Sequence, residues 1–486
     1  DSHPRDCRRT ARDSLFTVGI EYVTLPPRSR ANAVRLIALL LVVSLLAPAG
    51  VSALTYDPST DTSLEPGTIT SPANGSTVIS VQGYTFQGNT NPKKPARLLS
   101  VGPRGDLQWT HNDSVGGSAW FFDVDPLPNG NLLVSSPRAG DTVVFELNPE
   151  TQERVWQERF NMTDTHDVAY LGDDRIAIAN MREWNASAEV SDDRIVIYNR
   201  STGEFTWEWY FKNHFPESTD GGYNDDWSHV NDVDPVGEDR LLLSPRNFDQ
   251  AIVVDIESKE IVERLGSDDD YDVMREQHNP DWLLSENGTP TILVADSGNN
   301  RVVEYAKEDG EWVRTWEVGT GSLTWPRDAD RLPNGNTLVT DTLNHRVMEL
   351  TPTGEVVWEY YATWGPYDAE RIGTGPESSG PTIRDLNASG SYDITGSANL
   401  TAGGNESVGF AGRIRATFAG TALEGPMNEF ATRWAHVTPW LRPVWMSGWD
   451  FVWAISALLV GFVWAGGELV AGRQQIVAGI RRLADR

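Results

Sequence analysis

The chain has 486 residues, one cysteine, and a formal net charge of −29 from 69 acidic and 40 basic residues. A lone Cys7 excludes an intrachain disulfide and a cysteine-built zinc site. The acid excess argues against nucleic acid as a partner, which needs a basic footprint. With only five Lys among the basic residues, it fits a surface kept soluble in high salt.

Residues 1–35 carry several Arg and no clear period, and are expected to form a cytoplasmic leader. Residues 36–54 are an apolar run behind Arg28, Arg30 and Arg35, expected to be a signal anchor or a signal peptide. Small residues at Ala47-Pro48-Ala49 and Val51-Ser52-Ala53 offer cleavage sites. Either reading exports the chain beyond this run. Residues 55–80, rich in Thr, Ser, Pro, Asp and Gly, read as a linker outside the membrane.

Residues 81–372 carry a repeat. In its clearest copy, Leu332-Pro333-Asn334-Gly335-Asn336 is a turn, with Pro fixing φ and Asn-Gly supplying positive φ. Short β-branched and aromatic runs follow at Thr337–Thr340, Val347–Leu350 and Glu355–Tyr360. The same order recurs around Asp123, Asp167, Asp232, Asp281 and Asp328, at spacings of 44, 65, 49 and 47 residues. Three or four short strands at this period predict an all-β fold, a β-propeller of six blades, with hydrophobic helices at both ends of the chain. The strands near Gly83–Trp109 match the second half of a repeat and are expected to complete a blade with chain from the far end. Trp109, Trp156, Trp207, Trp316 and Trp358 recur at strand positions and read as blade packing.

Residues 373–426 are rich in Gly, Ser and Asn up to about 409 and read there as a flexible stretch or loose strands. Residues 427–448, with Trp434, Trp440 and Trp445, read as a juxtamembrane segment. Residues 449–470 are long and apolar enough for a transmembrane helix, and residues 471–486, with Arg473, Arg481 and Arg482, for a cytoplasmic tail. The lipid bilayer is thus an expected partner, with the propeller outside. Nine Asn-x-Ser/Thr sequons suit that extracytoplasmic face.

Propeller ligands gather at one mouth of the central channel, so the residues just before each Asp anchor are the candidates. They include His166, His229, Asn231, His278, Asn279 and Arg327; Arg246 ends an inner-strand stretch nearby. Three of the eight histidines thus fall at corresponding places in consecutive repeats. Several imidazoles with Arg, and no His-Glu-x-x-His pattern, suit an anion, although metal binding by the three His stays open. No Gly-Lys pair exists, so a phosphate-loop nucleotide donor is not supported. A neutral His can attack phosphorus or sulfur, with neighbouring donors stabilising the oxygens of the transferring group. The pairs Asp123/Asp125, Asp232/Asp234 and Asp328/Asp330 suit calcium or acid–base work, but their recurrence favours hydrogen bonding between blades.

These residues carry a resemblance. Gly83-Tyr84-Thr85-Phe86, Leu98–Val101 and Gly105–Trp109 look like the start of the arylsulfotransferase (aryl-sulfate sulfotransferase) family. His229-Val230-Asn231 resembles its His-x-Asn motif, Arg246 with Ile252–Asp255 its Arg segment, and Gln277-His278 its catalytic Gln-His. The likeness covers about residues 80–365 and is to a membrane-anchored member of haloarchaeal type. It implies transfer of a sulfuryl group from a phenolic sulfate donor to a phenolic acceptor, with no cofactor and no metal, through a sulfohistidine. By motif, His278 would be the nucleophile. His229, Asn231 and Arg246 would bind the sulfuryl oxygens, with His166 assisting and Asn279 and Arg327 binding substrate. The chain departs from well-known bacterial members in lacking their sizeable preceding β domain and in its membrane segments.

Two other readings compete. Asp296–Arg301 and Asp341–Arg346 resemble NHL repeats, which makes a non-catalytic surface propeller binding a glycan or protein the alternative. The paired Asp residues would also suit a calcium-dependent hydrolase or lactonase.

Overall fold

The computed structural model describes residues 27–55, 72–83, 85–86, 89–90, 96–112, 120–138, 140–362, 365–396, 410–418, 421–443 and 445–484. The readings made for residues 1–26 with Cys7, for the linker over 56–71, for Tyr84, for the sequons at Asn399 and Asn405, and for Arg486 lie outside the described residues.

Six antiparallel sheets form a six-bladed β-propeller. The innermost strands, in chain order, are Val124–Pro126, Val168–Gly172, Val230–Val236, His278–Leu284, Pro326–Arg331 and Pro366–Arg371. The last of these closes the ring. It pairs with Thr77–Val81, in register Val78↔Glu370, and the remaining strands of that blade, Arg97–Val101 and Leu107–His111, also come from the N-terminal side. One blade therefore joins both ends of the propeller, as the sequence led us to expect.

The burial pattern explains the strand choice. Middle strands such as Asp141–Leu147 are buried at every position, because neighbouring blades cover both faces. The outermost strand of that blade, Arg154–Phe160, alternates between exposed and half-buried residues. The Asn-Gly turns form as read. Gly130 and Gly335 have φ of +83° and +85°, which an L side chain rarely adopts. The flanking Asn side chains are used too: Asn334 and Asn336 both donate to Glu349 Oε1, at 3.0 and 2.7 Å.

The ring is stitched by its anchor Asp residues. Val124 N–H donates to Asp368 Oδ2 at 2.8 Å, Val168 N–H to Asp123 Oδ2 at 3.2 Å, and Ala369 N–H to Asp328 Oδ2 at 3.1 Å. Asp167 takes Val233 N–H in the same way. Each bond crosses to the next blade, the role preferred for these residues on sequence grounds.

The Gly- and Ser-rich run after the propeller is not loose over its described part. Residues 376–396 form a strap tied to the blades. Ser378 donates to Asp281, Ile383 N–H donates to Glu304 Oε1 at 2.9 Å, and Gly390–Tyr392 adds a parallel strand beside Glu311–Val318. Gly380 lies so close to the propeller that a Cβ there would sit 2.0 Å from Leu332 O. Composition hides this because the partners lie some 80 to 100 residues away in sequence. Two helices follow, Phe410–Phe418 and Glu424–Leu441.

A second unit contains residues up to Ser52 and from Asp450 onward. Its helices belong to the segments Pro27–Thr55 and Gly448–Ala484. Within them, Asn32–Thr55 and Gly448–Val470 are long and apolar enough to cross a membrane. Arg35 pairs with both carboxylate oxygens of Glu468 at 2.7 and 2.6 Å, and Ser52 Oγ donates to Asp450 Oδ2 at 2.7 Å. Two such pairs, at opposite ends, set the helices antiparallel.

Candidate active site

The position just before each anchor Asp holds Phe122, His166, Asn231, Pro280, Arg327 and Tyr367 in turn. Three residues before the anchor stand His229, His278 and Trp325 in three consecutive blades. The strand pairing in each of these blades is irregular, between Val230/Val233, His278/Asp281 and Pro326/Asp328. Such bulges re-aim side chains at the end of a strand. His229 and Trp325 also take positive φ, 41° and 56°, a conformation a bulky residue keeps only when its surroundings hold it there.

These residues converge on Tyr367. Its ring centroid lies 5.5 Å from that of His166, 5.9 Å from His278 and 4.7 Å from Phe122. His166 and His229 are 5.2 Å apart, and Phe122 stacks on His166 at 3.9 Å. The Arg327 guanidinium lies over the Tyr367 ring at 4.6 Å. The three imidazoles and Tyr367 are all buried.

Each imidazole has one nitrogen committed. His278 Nδ1 is 2.8 Å from Ser297 Oγ and 3.1 Å from Glu276 O. Ser297 Oγ itself donates to Pro326 O at 2.5 Å, so it accepts from His278. Nδ1 therefore carries the proton, and the lone pair is on Nε2. His166 Nδ1 faces Asp164 O at 2.8 Å, which imposes the same tautomer. His229 Nδ1 faces the carboxylate of Asp226 at 2.7 Å.

Burial pushes all three imidazoles well below the usual His range, and the nearby guanidiniums push the same way. For His278 these are Arg327 and Arg246; for His229 they are Arg246, Arg182 and Arg327. Burial also lowers Arg327, to about 10, and Arg246. Arg327 donates to Gln82 Oε1 at 2.6 Å, and Arg246 to Asn247 Oδ1 at 3.1 and 3.0 Å. Neither forms an ion pair among the described residues. Arg182 is bridged to Asp164 at 3.1 Å and Asp226 at 3.0 Å. Two guanidiniums without carboxylate partners, beside neutral imidazoles, make a site for an anion.

Of the residues singled out in the sequence, His166, His229, His278, Arg246 and Arg327 come together here. Asn231 is fully buried, and its Nδ2 donates to Gln277 O at 2.8 Å, so it braces the segment that carries His278. Asn279 lines a different space, a small cavity of about 20 Å³ walled by eleven carboxylates. Burial raises those acids, Asp167 and Asp368 to about 7. Among the described residues, groups of side chains close enough to share a metal ion consist of carboxylates only, so the three His do not form one. A larger cavity, about 560 Å³, lies by Trp109, Leu127 and Ile372 and has no titratable side chain in its wall.

Sequence reading missed Tyr367, Ser297, Asp226 and Arg182. Tyr367 had a usable signal: Asp368-Ala369-Glu370 continues the anchor pattern 40 residues after Asp328, and Tyr367 precedes it as Arg327 precedes Asp328. The other three stand away from the anchors and had none.

No curated protein matches the chain. Solved structures align with parts of it. A protein of unknown function from Bacteroides caccae aligns at TM-score 0.42 and 13% identity, over 62% of this chain and 98% of that one. A periplasmic gluconolactonase from Pseudomonas aeruginosa aligns at 0.40 and 14%, over 62% and 86%. A virginiamycin B lyase from Staphylococcus aureus aligns at 0.33 and 10%, over 51% and 71%. At these values the likenesses say nothing about chemistry. Residues 104–315 match the family model for arylsulfotransferase (ASST), a span that holds His166, His229, Asn231, Arg246, His278 and Asn279, while Arg327 and Tyr367 lie beyond it.

Proposed function

We propose that this propeller is an aryl-sulfate sulfotransferase anchored in a membrane, with its site on the extracytoplasmic side and His278 as the nucleophile. The match of residues 104–315 to the arylsulfotransferase family supports the reaction class. The observation that carries the residue assignment is the Ser297–His278 hydrogen bond of 2.8 Å, which leaves the Nε2 lone pair free in a pocket that attracts anions.

The phenolic sulfate binds with its sulfuryl oxygens toward Arg246, Arg327 and the Tyr367 hydroxyl. His278 Nε2 attacks sulfur, and the bond from sulfur to the phenolic oxygen breaks. The electron pair leaves with that oxygen as a phenolate, which takes a proton from solvent as the donor phenol departs. His278 then carries the sulfuryl group on Nε2, with its Nδ1–H still directed to Ser297. In the second half an acceptor phenol loses its proton, attacks sulfur and frees His278. His229, backed by the Asp226 carboxylate at 2.7 Å, is the group best suited to relay that proton, since the carboxylate stabilises the imidazolium that forms. The pocket's part is mainly positioning and charge stabilisation.

The two apolar helices support the anchoring. An antiparallel pair of spans puts the flanking tails on one side, and Arg473 and its neighbours favour the cytoplasm for that side. The test is release of a chromogenic phenol from its sulfate ester with and without a phenolic acceptor, for wild type beside His278→Asn. Acceptor-dependent release by wild type alone is expected. Equal turnover by the variant would overturn the role of His278.

A further inference from the structure

The anchor Asp residues that follow the imidazoles in sequence line the cavity of about 20 Å³ walled by eleven carboxylates, and no cationic side chain lines it. Two buried guanidiniums of the innermost strands, Arg331 and Arg371, are already paired with Glu304 at 3.0 Å and Glu349 at 2.8 Å. Such a concentration of buried acid needs either shared protons or a bound cation.

The hydrogen bonds between blades single out one part of this ring. Asp123, Asp167, Asp328 and Asp368 each accept an N–H from the next blade. At Asp232 the stitching fails. Its Oδ2 is buried and accepts no N–H among the described residues, its one side-chain neighbour for proton sharing being the carboxyl of Asp234, and the residue is 3% exposed. Asn279 Oδ1, a neutral oxygen in the wall of the same cavity, is also buried and unpartnered. The next anchor, Asp281, bonds the strap at Ser378 instead of a blade. At this break two groups of carboxylate oxygens gather within 4.8 Å of one another: Asp167, Asp232 and Asp234, and Asp234, Asp281 and Glu377.

We propose that these carboxylates, sharing Asp234 and joined by Asn279 Oδ1, bind a divalent cation of the calcium class inside the propeller. The geometry fits that ion. Oxygens within 4.8 Å of one another can meet one ion, and calcium's flexible shell of six to eight oxygens accepts an irregular carboxylate set more readily than magnesium's octahedron. The donors are all hard oxygens, with no imidazole or thiolate. The cation would occupy the gap in the inter-blade stitching and fasten the strap to three blades through Glu377. It would also brace the strands that carry His166, Asn231 and His278, whose next or near neighbours are its ligands. This departs from the expectation of no metal drawn from the sequence. It does not rest on the proposed reaction, because its readouts are binding and stability.

The experiment uses the full chain in detergent, stripped with chelator and returned to metal-free buffer at pH 7.5. Calcium is titrated by calorimetry, and terbium by luminescence sensitised by nearby aromatic residues. One high-affinity site per chain is expected, with a melting temperature raised by about 5 °C at a hundredfold excess over Kd. Asp232→Asn with Asp234→Asn should lose that site, and Asn279→Ala, the milder change, should weaken it about tenfold. Asp268→Asn, on a separate exposed acidic group, should leave it intact. The proposal is overturned by the absence of heat and thermal shift with calcium or magnesium. It is equally overturned by unchanged binding in both the Asp232/Asp234 and Asn279 variants, which would place the ion on surface carboxylates.

Discussion

Ser297 Oγ accepts the Nδ1–H of His278 at 2.8 Å while donating its own proton to Pro326 O, and so fixes which nitrogen of His278 can attack. Ser297→Ala removes that acceptor but leaves Glu276 O at 3.1 Å, so tautomer control is weakened rather than lost. Loss of the partner that orients a metal-bound histidine typically costs about 10–100-fold, and a weakened tautomer constraint on a metal-free histidine should cost no more. The expected result is a kcat near the low end of that range with little change in KM. A KM effect without a kcat effect would show that Ser297 shapes the pocket and does not orient the nucleophile.

The Tyr367 hydroxyl is buried without a partner among the described residues, although burial holds its phenol well above the usual range and therefore protonated. A buried donor left unsatisfied costs roughly 1–3 kcal/mol, so its retention calls for a ligand. Tyr367→Phe should leave the melting temperature unchanged or raise it. It should lower kcat by about 10²-fold if the hydroxyl meets a sulfuryl oxygen as charge develops there. A variant with full activity would reduce Tyr367 to a wall against which His166 and His278 pack.

The histidines set the acid side of the pH profile. The folded protein holds His278, His229 and His166 well below the ordinary value near 6.5, first through burial and then through guanidiniums and, for His166 and His278, neighbouring imidazoles. His278 stays neutral and nucleophilic at and below that value, so the acid limb of kcat/KM should fall well under pH 6.5. Stability follows with a definite sign. Below 6.5 the unfolded chain binds protons that the folded site refuses, so stability is lost as pH falls from 6.5 toward the folded pKa values. His278→Asn should flatten that part of the loss. An acid limb at 6.5 or above would mean that the imidazoles are solvated in the free enzyme.

The period made the fold legible. Five Asp anchors, the Gly-containing turns after them (Asn-Gly in three repeats) and the strands that follow can be read locally, because each repeat carries its own turn chemistry and its own apolar runs. The sixth repeat was harder. Its innermost strand, Pro366–Arg371, lies beside Thr77–Val81, and the blade's other three strands are some 260 to 290 residues away in sequence. Glu370 stands where earlier repeats have Asp, and Tyr367 went unseen with it. The histidines were found because each stands within three residues of its anchor, His229 and His278 at the same position and His166 directly before Asp167. Asp226 and Ser297 were not: Asp226 precedes His229 by only three residues, and Ser297 meets His278 across one hairpin, but neither holds a position that recurs from repeat to repeat. The acidic pairs were visible one by one. That they share one cavity with Glu377 is a property of the closed ring, and no single repeat encodes it.

The strap depends on one buried acid. Glu304 is fully buried, pairs with the equally buried Arg331 at 3.0 Å, and accepts the N–H of Ile383 from the strap at 2.9 Å. Arg331 also packs over Trp316, 5.0 Å from its ring centroid. Glu304→Ala leaves a guanidinium buried without its carboxylate and an amide without its acceptor. Breaking such a pair from one side costs about 3–5 kcal/mol, whereas replacing both partners with apolar residues of similar size is often neutral. The single variant should therefore lose that much stability in urea melts and expose the strap to limited proteolysis. Glu304→Leu combined with Arg331→Met should recover most of the stability but not the protection of the strap, because the Ile383 amide still lacks its partner. If the double variant protected the strap as well as the wild type does, Ser378 and the added strand at Gly390–Tyr392 would suffice to hold it, and Glu304 would serve only to neutralise Arg331.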